Sequence, residues 1–209
     1  MLAMLMFMVK GLPFLYQGQE IGMENNNFKD ISEIDDLSTI DQYQVSLQAG
    51  LTEKEAMEVV NRTSRDNART PFQWSAEKNA GFTTGKPWLV VNENYKEINA
   101  ADQIGRSDSI FSFYQELIKL RKNPEYKETI VYGKLEPVFQ DISKIFAFYR
   151  NGNKQRLLVL ANFQNQTKDL IFTDRIQKVL INNYECIKIN EETNTITLAP
   201  FQGVVLLVK

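Results

Sequence analysis

The sequence predicts an α+β chain, with helices and loops over residues 1–125 and a small antiparallel β-sandwich over residues 126–209. Three observations carry that prediction. Thr52 and Glu55 form a Thr-x-x-Glu pattern ahead of Ala56, Val59 and Val60, the signature of a capped amphipathic helix over 53–62. Ile110, Phe113, Tyr114, Leu117 and Ile118 recur at three- and four-residue spacing and so share one face of a second, longer helix. Beyond Tyr126 the pattern shortens, and Asn151-Gly152-Asn153 separates the apolar runs 145–150 and 155–161 as a hairpin turn would.

The elements follow in order. MLAMLMFMV opens the chain with nine apolar residues, far short of the ~20 that span a bilayer. No basic region precedes it and no small-residue cleavage site follows, so it does not read as a secretory signal. After the turn Gly11-Leu12-Pro13, the run Phe14-Leu15-Tyr16 has the length and composition of a buried strand, ended by Gln17-Gly18-Gln19-Glu20. Glu20 has no visible partner and reads as a loop anchor before it reads as a general acid. Residues 24–50 are polar and weakly periodic, with Asn25-Asn26-Asn27 as a loop signal. Asp108 or Ser109 caps the longer helix, and Asn123-Pro124 stops it. Further strands are expected at 170–173, 179–182, 185–189, 195–198 and 203–208.

Ser64 to Trp74, SRDNARTPFQW, carries the densest chemistry. Arg65 and Arg69 present planar donor forks, Asp66 accepts hydrogen bonds, Asn67 and Gln73 do both, and Trp74 offers a flat apolar face. Such a set can read sugar hydroxyls. It can equally tie itself into an internal salt-bridge knot that pins a turn.

SRDNARTPFQW resembles the α-glucosidase and oligo-1,6-glucosidase branch of the α-amylase family, glycoside hydrolase family 13. Two flanking passages, GLPFLYQGQEIGM from Gly11 and NAGFTTGKPWLVVNENYKEIN from Asn79, resemble the same enzymes in the same order, and a looser likeness runs through SIFSFYQELIKLR from Ser109 to the C-terminus. The resemblance implies the C-terminal part of a (β/α)8 barrel over 1–125, comprising the last strand and its flanking helices, followed by an antiparallel β-domain over 126–209. It also implies that MLAMLMFMV belongs to the seventh barrel helix and 14–16 to the eighth strand. Arg65 and, beside it, Arg69 are then the glucose-binding residues, with a partner carboxylate expected outside this chain. Trp74 and Trp88 are candidates either to stack on sugar faces or to plug the barrel rim.

Retaining glycosidases hold two catalytic carboxyl groups about 5–5.5 Å apart. The family carries these on strands expected to precede this sequence, and the chain has no histidine, which excludes the family's Asn-His-Asp motif. The resemblance therefore implies part of a retaining α-glucosidase of carbohydrate metabolism, acting on short α-glucosides, that holds no catalytic residue and is inactive alone. The alternative is a non-catalytic sugar-binding or interaction module. One departure stands out: Asp36-Leu37-Ser38-Thr39 falls where many relatives carry Asp-Ile-Glu-Thr, which leaves the linkage preference open.

Composition narrows the remaining classes. With 43% hydrophobic residues the 209-residue chain can build a core. A net charge of −2 supplies no basic footprint for nucleic acid, and nothing implies a membrane partner. The absence of histidine, of cysteine pairs and of calcium-loop spacing implies neither metal nor cofactor. The lone Cys186 fits a cytoplasmic location and reads as an apolar filler within a strand. Barrel-facing stripes on Met1–Val9 and Ile110–Ile118 are expected to lie uncovered and to drive self-association.

Overall fold

A computed structural model describes residues 1–209 and divides them into two compact units, Met1–Phe14 with Phe113–Lys209, and Leu15–Ser112. Six helices run in chain order: α1 (Leu2–Met8), α2 (Leu37–Gln48), α3 (Glu53–Thr63), α4 (Ala100–Gln103), α5 (Ile110–Lys122) and α6 (Lys127–Tyr132). Eight strands follow: β1 (Lys134–Val138), β2 (Ile145–Asn151), β3 (Arg156–Asn162), β4 (Lys168–Ile171), β5 (Ile176–Asn182), β6 (Lys188–Asn190), β7 (Thr195–Leu198) and β8 (Gly203–Val208). No helix is long and apolar enough to cross a membrane.

In the first unit the strands form an antiparallel five-stranded sheet, ordered β1-β2-β3-β8-β5, and a three-stranded sheet, β4-β7-β6. The expected hairpin is present, with Gly152 N–H donating to the Gln155 carbonyl between β2 and β3. Alternation along the strands sends Tyr149, Leu158, Leu160, Val204 and Leu206 toward Leu170, Ile196 and Leu198 of the smaller sheet. The opposite face of the large sheet carries Phe148, Leu157, Val159, Ala161 and Val205, and these pack with α1, α5 and α6 through Met4, Met8, Leu117 and Ile130. Leu157 to Ala161 are completely buried because β3 has a layer on each side. At roughly 1.5–3 kcal/mol for each fully buried large aliphatic side chain, this strand anchors the unit.

That arrangement corrects an expectation. The stripes on Met1–Val9 and Ile110–Ile118 were expected to face a barrel sheet and lie bare, but Met4, Phe7, Met8, Tyr114 and Leu117 are buried against the β-domain. The five-stranded sheet needs a cover on its second face, and these helices provide it. Self-association therefore lacks the surface assigned to it. In the division into compact units, α1 and most of α5 lie with the strands.

Two guanidiniums hold the end of α1. Arg150 on β2 is fully buried and donates to the Met8 carbonyl (Nη1, 2.9 Å) and the Gly133 carbonyl (Nη2, 2.9 Å). Arg121 on α5 donates to the carbonyls of Phe7 (2.6 Å) and Gly11 (2.5 Å). The last carbonyls of a helix have no partners within it and form its negative end, so paired cations suit this position. Burial lowers both guanidinium pKa values from their ordinary range.

The second unit is built from shorter pieces. Thr52 and Glu55 form the expected capping box at the start of α3, and Ser109 Oγ accepts from Ser112 N–H at the start of α5. The polar, weakly periodic stretch 24–50 contains the twelve-residue helix α2. Only Thr39 and Tyr43 of α2 are buried, so its inward stripe is too narrow to register as a period. Packing of Tyr43 with Phe28, Ile34, Ala56 and Val60 decides it instead.

Three further expectations change. Residues 14–16 form no strand, and Phe14 is 80% exposed, because a strand needs a neighbour for its backbone groups and no segment of this chain pairs with it. Helix α6 and strand β1 had no strong pattern; β1 contains Pro137 and survives as an edge strand bonded only to β2. Cys186 is exposed in the turn before β6, since that strand begins only at Lys188.

Candidate functional site

The Ser64–Trp74 loop starts where α3 ends. Ser64 Oγ accepts from Asp66 N–H (3.1 Å) and starts a 3₁₀ turn over Arg65–Ala68. Asp66 is completely buried beneath that turn. Its Oδ2 accepts from the backbone N–H groups of Asp35 (2.8 Å) and Asp36 (2.9 Å), and its Oδ1 accepts from Arg69 Nη1 (3.0 Å).

Asp36 is the second buried carboxylate. It caps α2, accepting at Oδ2 from Thr39 N–H (3.1 Å) and Thr39 Oγ1 (2.7 Å). Arg65 grips it at both oxygens, Nη2 to Oδ1 at 2.6 Å and Nε to Oδ2 at 3.3 Å, while Arg69 Nη1 lies 3.6 Å from Oδ1. Two carboxylates, two guanidiniums and three backbone N–H groups thus close one network. The hydrogen bond from Arg65, then that from Thr39, holds the Asp36 carboxyl below its ordinary value of 3.8. A carboxylate so held stays ionised at neutral pH and does not serve as a proton donor.

The loop arginines therefore have their carboxylate partners inside this chain, where an external one was expected. The knot and the exposed donor surface coexist: Arg65 is 64% exposed, and its Nη1 has no partner within the chain. Asn67 and Gln73 turn inward. Asn67 receives from Asn26 N–H and donates to the Asn61 carbonyl; Gln73 donates to Asn94 Oδ1 and the Ile98 carbonyl, leaving its Oε1 buried without a donor. Trp74 is half exposed and rests on Phe72 at 4.5 Å between ring centroids, and Trp88 is exposed. Glu20 is a loop anchor, accepting from Gly18 N–H at 2.8 Å.

Behind the loop lies a cavity of about 350 Å³ whose walls include Tyr16, Gln17, Glu24, Arg62, Asn67 and Thr70. Neither Arg65 nor Arg69 lines it. Tyr16 is fixed there by its hydroxyl, which donates to the Ala68 carbonyl at 3.0 Å. No sequence signal marks Arg62 or Tyr16 for this wall, because their neighbours come from segments about 50 residues apart. The Asp-x-x-Thr cap at Asp36 was visible in principle, but not its clamp to Arg65.

Comparison with known proteins decides the family. The model of the α-amylase catalytic domain matches residues 1–133, more than half the chain, and that of the SusG-type α-amylase C-terminal domain matches 145–205. The chain belongs to the α-amylase family. Within the family it is 40% identical over its whole length to an oligo-1,6-glucosidase of Bacillus cereus, covering 38% of that protein. It is 37% identical over 96% of its length to a glucan 1,6-alpha-glucosidase of Streptococcus pneumoniae, covering 36% of it. The fold matches the trehalose-6-phosphate hydrolase of Bacillus licheniformis (TM-score 0.88, 38% identity, 99% of this chain and 38% of that one). It also matches an isomaltulose synthase mutant of Erwinia rhapontici in complex with D-glucose (TM-score 0.88, 36% identity, 100% and 37%). This α-amylase family chain thus spans just over a third of the length of its relatives. It joins a catalytic-region segment to an antiparallel β-domain, and the two family matches meet across β1, between Gly133 and Ile145.

Proposed function

We propose that this chain is the glucose-reading rim and C-terminal β-domain of a retaining α-glucosidase acting on short α-glucosides in the cytoplasm, with barrel sequence through residue 125 and the β-domain from 126. Arg65 and Arg69 are the sugar-binding residues. The observation that carries this reading is the Asp36–Arg65 clamp: it fixes one edge of a guanidinium and leaves Nη1 without a partner on a largely exposed side chain, so the group meets a hydroxyl pair already oriented. Relatives whose names specify glucosidase action, and a neighbour solved with D-glucose, support the substrate class.

The same geometry supports inactivity of the chain on its own. Asp36 and Asp66 are both committed to guanidiniums and backbone N–H groups, which leaves no carboxyl pair in this site to act as nucleophile and acid. Incubating the purified chain with an aryl α-glucoside tests it: release of the aryl alcohol no faster than with a denatured control is expected, and faster release refutes it. Glucose binding tests the arginines. Arg65→Ala removes a charged donor, a loss of about 1.5–3 kcal/mol, and unchanged glucose affinity removes Arg65 from the site.

A further inference from the structure

The loop that follows Trp74 carries chemistry that the Arg65 network does not use. Trp74 N–H and Ser75 N–H both donate to the Ala80 carbonyl, at 2.9 and 3.0 Å, which folds residues 74–81 into a clasp. Holding that carbonyl in place needs left-handed backbone at Asn79 and Ala80, each at φ 56°. Such a conformation is costly for alanine and persists where the surroundings impose it. Asn79 Nδ2 secures it by donating to the carbonyls of Thr83 (3.0 Å) and Gly85 (2.8 Å). Gly81, at φ +67°, lets the two arms close: a Cβ there would stand 2.6 Å from Ser75 Oγ and 3.5 Å from Trp74 Cβ.

The clasp carries two exposed aromatic residues, Trp74 at its start and Phe82 at its end, and Phe82 lines an open cavity. Trp74 is 55% exposed with its indole backed by buried Phe72, and Phe82 is 49% exposed. The cavity, of about 620 Å³, is lined by Phe82 together with Glu77, Lys78, Gly81, Thr83 and Thr84. Glu77 and Lys78 form no ion pair, so a carboxylate and an ammonium stand free with cancelling charge. Flat apolar rings flanked by free donors and acceptors of no net charge match a neutral polyhydroxylated ring, which has an apolar face and a hydroxyl edge.

We infer that Trp74 and Phe82, with the cavity running from Glu77 to Thr84, form a second saccharide site that takes a neutral glucosyl unit apart from the one read at Arg65. The choice of a glucosyl unit rests on the α-glucoside reading above; the site itself rests on the clasp and its rings.

Calorimetric titration of the whole chain with isomaltotriose tests the inference on the wild type and on Trp74→Ala, Phe82→Ala and Arg65→Ala. Trp74→Ala and Phe82→Ala are each expected to weaken one binding event about tenfold or more, a loss of ~1.4 kcal/mol, while that event persists in Arg65→Ala. Near-UV circular dichroism checks that Trp74→Ala keeps its fold, and Phe82→Ala supplies the answer if it does not. Binding that is lost in Arg65→Ala but unchanged in both aromatic variants overturns the second site and leaves the Arg65 reading standing. Binding that depends on the aromatics and ignores Arg65 does the reverse. Absence of saturable binding to the wild type overturns the site outright.

Discussion

Arg65 and Asp36 meet along a full guanidinium edge, with Nη2 2.6 Å from one carboxylate oxygen and Nε 3.3 Å from the other, and the same Asp36 caps helix α2. One carboxylate therefore couples the start of a helix to the orientation of the Ser64–Trp74 loop, through a partner 29 residues later. Loss of Asp36 should disturb both at once.

That coupling predicts an acid limb in the stability of the 15–112 unit. The native pKa of Asp36 is depressed below 3.8, so its contribution is complete above the unfolded-state value and is lost as pH falls through the lower native one. Urea unfolding of the wild type should show stability falling below about pH 4. Asp36→Asn should be weaker at neutral pH with a flatter acid limb; an unchanged slope would dissociate Asp36 from it.

Asp66 should matter more than any surface cap. It is wholly buried and holds two backbone N–H groups and Arg69. Asp66→Ala leaves those donors without an acceptor and is expected to cost about 3–5 kcal/mol. Thr52→Ala, which opens the exposed capping box of α3, is expected to cost about 1 kcal/mol. Chemical denaturation of the two variants side by side gives the order.

Arg150 is a buried cation without a carboxylate. Its function is to satisfy the Met8 and Gly133 carbonyls. Arg150→Leu fills similar space but strips both acceptors, so a loss of about 1–3 kcal/mol for each is expected. An Arg150→Leu variant as stable as the wild type, by midpoint in urea, would show that packing alone holds α1 on the sheet.

Tyr149 predicts an alkaline limb in the β-domain. Burial first, and its hydrogen bond to Asp174 second, push its phenol from 10.0 up to about 12. Arg156 completes the group, pairing with Asp174 at 2.9 Å and lying 3.5 Å over the Tyr149 ring. A raised native pKa means the contribution is full below pH 10 and drains as pH rises toward 12. Tyr149→Phe should remove that decline between those two values, read by thermal melts across the range.

Local signals carried much of this structure. The Thr52–Glu55 box, the Asn151-Gly152-Asn153 turn and the stop at Asn123-Pro124 each act within a few residues, and each appears where the sequence places it. Helix α2 was hidden because Tyr43 and Thr39 alone turn inward, and β1 because Pro137 speaks against a central strand. The run at 14–16 has strand composition, yet hydrogen-bond partners rather than composition make a strand.

The α+β order, the capped helices, the β-hairpin and the concentration of arginine and aspartate between Ser64 and Trp74 are legible from neighbouring residues alone, because propensity, capping and hydrophobic period are local properties. Long-range packing settles that Arg65 grips Asp36, that the helix stripes lie on the β-domain, and that Arg62 and Tyr16 share a cavity wall. Those outcomes depend on residues brought together across 29 to more than 100 positions of chain, as in the bonds from Arg65 to Asp36 and from Arg121 to Phe7, and no local pattern encodes a partner at that distance.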